Sequence, residues 1–160
     1  FRRVLFRSAL IAQGYDNNTT AMVDDYYKAV TSCIKAGGFE ILAHFDLIRK
    51  NNPNMSRFRE DTPQYRAAAM MAVDALSGTD IIVEINTGGM ARGKIPTPYP
   101  AAWILQELKV RGVDICLNSD AHASAHLLAC REAGLRAAAD AGYDSLAIIT
   151  TTGRERVPLA

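Results

Sequence analysis

Apolar residues recur along the chain at two different periods. Met22, Tyr26, Ala29, Val30, Cys33 and Ile34 fall three and four apart, which gathers them on one face of a helix. Thr19 or Thr20 is the expected cap, Asp24 and Asp25 lie near the positive end, and Gly37-Gly38 stops the helix. Residues 39–44 then form a short, nearly all-apolar strand ending in His44. Residues 46–61 are polar and irregular, with Asn51, Asn52, Pro53 and Asn54 in succession, and predict a long connecting loop. Thr62-Pro63 is a cap followed by proline at the first helical position. That second helix runs through Tyr65, Ala69, Met70 and Val73 to about Ser77, and Gly78 ends it.

Residues 80–86 are a second strand. The following stretch, 87–100, holds Gly88, Gly89, Gly93, Pro96, Pro98 and Pro100, a composition that predicts a structured loop and no helix. Residues 101–111 are an amphipathic helix with Trp103, Ile104, Leu105 and Leu108 inward and Gly112 as its stop. A third strand covers 114–118, an alanine-rich helix with a break expected at Gly134 covers 123–141, and a β-branched fourth strand covers 146–150. Continuously apolar strands suit a parallel sheet covered on both faces. Their alternation with helices predicts parallel βα units in a single α/β domain.

The chemistry-bearing residues cluster where these strands end. Past the third strand comes Asn118-Ser119-Asp120-Ala121-His122, a carboxylate and an imidazole two residues apart. Alone, this reads first as a turn with a capping Asp and a surface His. His44 ends the first strand in the same way, and that coincidence favours a metal-ligand reading for His44, Asp120 and His122. Imidazole and carboxylate suit zinc, manganese or iron, and α/β barrels hold such groups at the C-terminal ends of their strands. Asp46 either orients a histidine or starts the loop.

Glu84 and Asn86 alternate with Val83 and Ile85 and therefore share a face of the second strand. They form a structural hydrogen-bond network or take a direct part in binding. Arg92 follows in Thr87-Gly88-Gly89-Met90-Ala91-Arg92-Gly93, where its planar fork of donors matches a phosphate. The segment is not a P-loop, which would require Gly-Lys-Ser/Thr before a helix. His126 is expected as an exposed helix residue, and Arg49, Lys50, Arg57 and Arg59 as a solvated loop surface.

Composition narrows the setting. The chain has 160 residues, 49% hydrophobic, with a net charge of +1, which gives no electrostatic case for nucleic acid or a membrane surface. No apolar run approaches the roughly 20 residues that span a bilayer. Cys33, Cys116 and Cys130 form no CxxC pair and suit reduced thiols of a cytoplasmic protein. Residues 1–8, FRRVLFRS, are Arg-rich. Their codons from Arg2 can be AGA CGT GTG CTC TTC CGA TCT, the sequence of a common short-read adaptor. The expectation is that residues 1–8 are non-native read-through and that 9–160 belong to one domain.

AHFDLIRK, EINTGGMARG followed by PYPAAWILQEL, and LNSDAH resemble, in order and spacing, the PHP phosphoesterases (polymerase and histidinol phosphatase family), and most of all their histidinol-phosphatase branch. The resemblance covers about residues 15–152. It implies a distorted, TIM-like seven-stranded βα barrel with up to three divalent metals at its mouth. By position, His44, Asp120 and His122 correspond to metal ligands, with Asp120 and His122 catalytic. Arg92 corresponds to the arginine that grips the substrate phosphate, and Glu84 and Asn86 to the segment lining the pocket. The implied reaction is hydrolysis of L-histidinol phosphate in histidine biosynthesis. Another phosphate ester as substrate, or a non-catalytic binding domain of this fold, are the alternatives. The family begins with a His-x-His block, whereas no histidine here precedes His44. The chain is therefore expected to be the C-terminal part of such a barrel, inactive without its N-terminal half as partner.

Overall fold

The computed structural model describes residues 14–159, so the expectation for residues 1–8 lies outside the described residues. The first helix, α1 (Thr19–Ala36), is capped by Asn18 and not by either threonine: Asn18 Oδ1 accepts the Ala21 N–H at 3.0 Å. Asp24 and Asp25 fall beyond its first turn, where the helix dipole has faded. Gly37, at φ +62°, closes the helix by donating its N–H to Cys33 O and Ile34 O.

Three parallel strands follow the predicted alternation. β1 (Ile41–Leu42) pairs with β2 (Ile82–Asn86), and β2 pairs with β3 (Ile115–Asn118), giving the order β1-β2-β3. β2 is central and buried along its whole length, as its apolar sequence requires. β1 is much shorter than the stretch 39–44, because His44 at φ +35° has already left the extended region.

The helices cover this sheet. α2 (Pro63–Leu76) starts as expected, with Thr62 Oγ1 accepting the Tyr65 N–H. It packs on α1 through the edge-to-face rings of Tyr27 and Tyr65, whose hydroxyls meet at 2.9 Å. Residues 88–91 form a short helix, α3 (Gly88–Ala91), where the composition predicted a loop. α4 (Ala102–Val110) buries Ile104, Leu105 and Leu108, while Trp103 stays half-buried under the Arg66 guanidinium. α5 (Arg131–Asp140) begins only after Cys130, which sits at φ +59°, and runs unbroken through Gly134. Gly134 is there for close approach: a Cβ would lie 2.4 Å from Leu117 Cδ1 and 3.0 Å from Thr87 Cγ2.

The fourth strand departs from the parallel series. β4 (Ser145–Thr150) forms an antiparallel hairpin with β5 (Gly153–Pro158), a two-stranded sheet of its own. Its Ala147 still packs with Ile82 and Cys116 in a small buried cluster. Arg154 and Arg156 of β5 both reach Asp114, at 3.3 and 2.8 Å, which ties the hairpin to the start of β3. The polar sequence of β5 hid this strand from periodicity. The described residues are mixed α/β with three parallel strands, compatible with part of a larger α/β fold. No helix among them is long and apolar enough to cross a membrane.

Candidate active site at the strand ends

The C-terminal ends of β2 and β3 lie side by side, with Asn86 opposite Asn118. Beneath them the Glu84 carboxylate is the hub. Its Oε2 accepts the His44 backbone N–H and the Asn86 Nδ2–H, and its Oε1 accepts the Asn118 Nδ2–H, each at 2.9 Å. One buried carboxylate thus joins the ends of all three parallel strands. Three charge-assisted hydrogen bonds offset its loss of hydration. Asn86 carries the network upward, since its Oδ1 accepts the Gly88 N–H at 2.9 Å and so starts α3. Glu84 and Asn86 therefore have the scaffold contacts of the hydrogen-bond-network reading. Below them burial pushes the Cys116 thiol up to about 12, with the nearby Glu84 charge adding to the shift.

Arg92 closes α3 and swings back across the strand ends. Its Nη2 donates to Asp120 Oδ2 at 2.8 Å, and its Nη1 donates to Asp120 O at 2.7 Å and lies 2.9 Å from His122 Nδ1. Glycine at 88 makes the approach possible: a Cβ there would stand 2.7 Å from Ser119 O and 2.9 Å from Arg92 Nη1. Gly88 and Gly89 serve close packing, while Gly93 takes φ +62° after the turn. Asp120 adopts φ +46° and His44 φ +35°, so both functional strand ends turn through the left-handed region. Such backbone positions cost energy and concentrate at functional sites.

The structure thus gathers Arg92, Asp120 and His122 in one partly exposed cluster past the strand ends. His44 stands half-buried at the end of the neighbouring strand. It is not gathered with the other two: no group of three or more His, Cys, Asp or Glu among the described residues is placed to hold a metal ion. In donor chemistry the Asp120–His122 pair suits a divalent cation, a carboxylate oxygen and an imidazole nitrogen 3.8 Å apart. The cation that faces them here is Arg92.

The expected solvated surface is corrected at Arg49, and the expected exposed position at His126. Arg49 is no solvated loop residue. Its guanidinium is buried between Asp46 (Nη1–Oδ2, 3.2 Å) and Glu60 (Nε–Oε2, 2.9 Å) and reaches Thr97 Oγ1 at 3.1 Å. Of the two readings of Asp46, the loop start agrees with the structure: the residue precedes the turn Leu47–Asn51. It is wholly buried, and its Oδ2 accepts the Ala101 N–H at 2.8 Å at the start of α4. Its Oδ1 has no hydrogen-bond partner among the described residues. His126 lies in the turn Ser124–His126, half-buried, with an unpartnered Nδ1. The periodicity gave no sign of the Asp46–Arg49–Glu60 cluster, because the segment 46–61 has no period at all.

No family model matches the chain. It is similar to a probable histidinol-phosphatase of Deinococcus radiodurans, with 28% identity over 112 residues, 70% of this chain. The match spans 40% of that protein's length.

Proposed function

We propose that this chain is part of a PHP-type phosphoesterase that hydrolyses a phosphomonoester, with L-histidinol phosphate as the substrate. The observation that carries this reading is the convergence of Arg92, Asp120 and His122 past two adjacent parallel strands. The similarity to a histidinol-phosphatase supports it. Arg92 would take phosphate oxygens with its two-pronged donor edge. Asp120 and His122, with His44 from the next strand end, would be this chain's contribution to a divalent metal site of zinc, manganese or iron. A divalent cation supplies Lewis acidity at such a site. Glu84 and Asn86 would hold the strand ends and the α3 turn in register beneath the substrate. The remaining ligands would come from the part of the longer protein that this chain does not span.

The test is phosphate release by the longer protein, supplied with Mn²⁺ or Zn²⁺, from L-histidinol phosphate and a panel of other phosphomonoesters. L-Histidinol phosphate should give the highest kcat/KM, and R92Q should lower it by about a hundredfold, as removal of a charge-stabilising donor does. Preference for another ester would correct the substrate. A folded, metal-supplied protein that releases phosphate from none of them would overturn the proposal.

A further inference from the structure

The first turns of α1 and α2 and the loop residues 57–59 border a cavity of about 300 Å³, at the lower end of the range for small-molecule sites. None of Arg92, Asp120 and His122 lines it. Its apolar part is Phe58 and Tyr65, both buried, with rings stacked at 5.9 Å between centroids. The loop is fixed from within by Asn52, itself buried. Asn52 Oδ1 accepts the Arg57 and Phe58 N–H groups at 3.0 and 3.2 Å, and its Nδ2 donates to Phe58 O at 2.9 Å. The Arg57 side chain therefore stands on backbone that is ordered before any ligand arrives.

Two guanidinium groups line the cavity, and they are not equivalent. Arg59 is held by Asp61 through both Nε and Nη2. Arg57 has no ion pair or side-chain hydrogen bond among the described residues. Asp24, contributed by α1, has none either, and the two are not paired with each other. Both are half-buried. Withdrawing a charge from water without a counter-charge is costly. Two opposite charges that line one cavity without meeting leave a place for a molecule that carries both matching charges.

We propose that this cavity binds a small zwitterion, an α-amino acid with an apolar side chain. Its carboxylate pairs with the Arg57 fork, its ammonium pairs with Asp24, and its side chain lies against Phe58 and Tyr65. The Thr19 and Thr20 hydroxyls line the same space and have no side-chain partner among the described residues, so they can donate to the carboxylate. A plain anion would meet Asp24 uncompensated, and a plain cation would meet Arg57. Only a molecule with both charges satisfies the two together. The site is separate from the strand-end cluster and does not depend on the phosphatase reading.

The test is calorimetric titration of the 160-residue chain with L-leucine, which should bind saturably. Two analogues need no variant: 4-methylpentanoate lacks the ammonium and 3-methylbutylamine lacks the carboxylate. Each should bind at least about tenfold more weakly than L-leucine, the effect of losing one charge-assisted contact. R57Q and D24N should each weaken L-leucine by a similar factor. D24N should not weaken 4-methylpentanoate, which has no ammonium to lose. Absence of saturable L-leucine binding by wild type overturns the proposal. Equal affinity for L-leucine and either analogue overturns the zwitterion. Tighter L-leucine binding by D24N would mark a plain anion site and overturn it as well. None of these readouts depends on turnover, so absent phosphate release by the longer protein is a separate result.

Discussion

Arg49 and Arg92 each anchor a cluster of polar and charged side chains, and the two clusters have opposite characters. Arg49 lies between Asp46 and Glu60 with its side chain 11% exposed and Asp46 fully buried. Arg92 faces Asp120 and His122, which remain 34% and 53% exposed. The first cluster is closed. Arg49 also reaches Thr97, and Asp46 starts α4, so the segment 46–61 and the segment before α4 are fastened together by one guanidinium and one carboxylate. The second is open, and its side chains remain in contact with water. The residue types are nearly the same. Burial separates the two, because a charge pair exchanges its partner for water inexpensively only at the surface.

The sharpest way to break this comparison is to remove each arginine in turn. Arg49→Leu strands the Asp46 carboxylate in the interior beside an unpaired Glu60. Loss of one partner of a buried pair costs about 3–5 kcal/mol. Urea unfolding at neutral pH should show that loss in full. An effect no larger than that of an exposed pair would mean that water reaches the cluster.

A smaller effect separates Asp46 from the exposed carboxylates. Burial, partly offset by Arg49, raises the Asp46 carboxyl above its ordinary value. A folded-state pKa above the unfolded one stabilises the fold only while the group is protonated. That contribution is complete below the unfolded pKa, near 3.8, and disappears as pH rises through the higher folded pKa. The opposite shifts of the surface carboxyls Asp61 and Asp144 are common to wild type and D46N and cancel in the difference between them. The stability of wild type minus that of D46N should therefore fall as pH rises from about 4 and then level off. A difference that rises over the same window would mean that Arg49 outweighs desolvation and that Asp46 is held ionised.

The same contrast explains what the sequence made legible. The open cluster was visible because Asp120 and His122 stand just past a short apolar strand, and period and turn chemistry placed the neighbouring strand-end residues His44, Glu84 and Asn86 in the same way. Arg92 stood out in a glycine-rich segment, although the helical turn that aims it depends on tertiary contacts at Gly88 and Gly89. The closed cluster was invisible because Asp46, Arg49 and Glu60 are joined across an aperiodic loop, where only three-dimensional packing brings them together. Gly134 misled for a related reason. Glycine inside a helix lowers propensity, but here it answers the approach of α5 to Leu117, a distance that no local pattern encodes. The β4–β5 hairpin was lost because Arg154, Glu155 and Arg156 form a polar strand, held by ion pairs to Asp114 and by its partner strand, with little apolar alternation.

The smallest expected effect is the most telling for the open cluster. Removing Arg92 deprives Asp120 of a partner, but Asp120 keeps a third of its side-chain surface in water and can rehydrate. Exposed pairs contribute about 0–1 kcal/mol, so R92Q should unfold within about 1 kcal/mol of wild type. Salt should reduce even that difference, since ions screen exposed charges and leave buried pairs nearly untouched. Parallel urea titrations of R92Q and R49L at low and high salt would show it: the R92Q deficit should shrink with salt, while the R49L deficit should persist. A loss of several kcal/mol in R92Q, insensitive to salt, would make Arg92 a structural fastener like Arg49. A guanidinium so firmly held could not leave to meet a phosphate. Exchange at the strand ends therefore requires that Arg92 contribute little to stability.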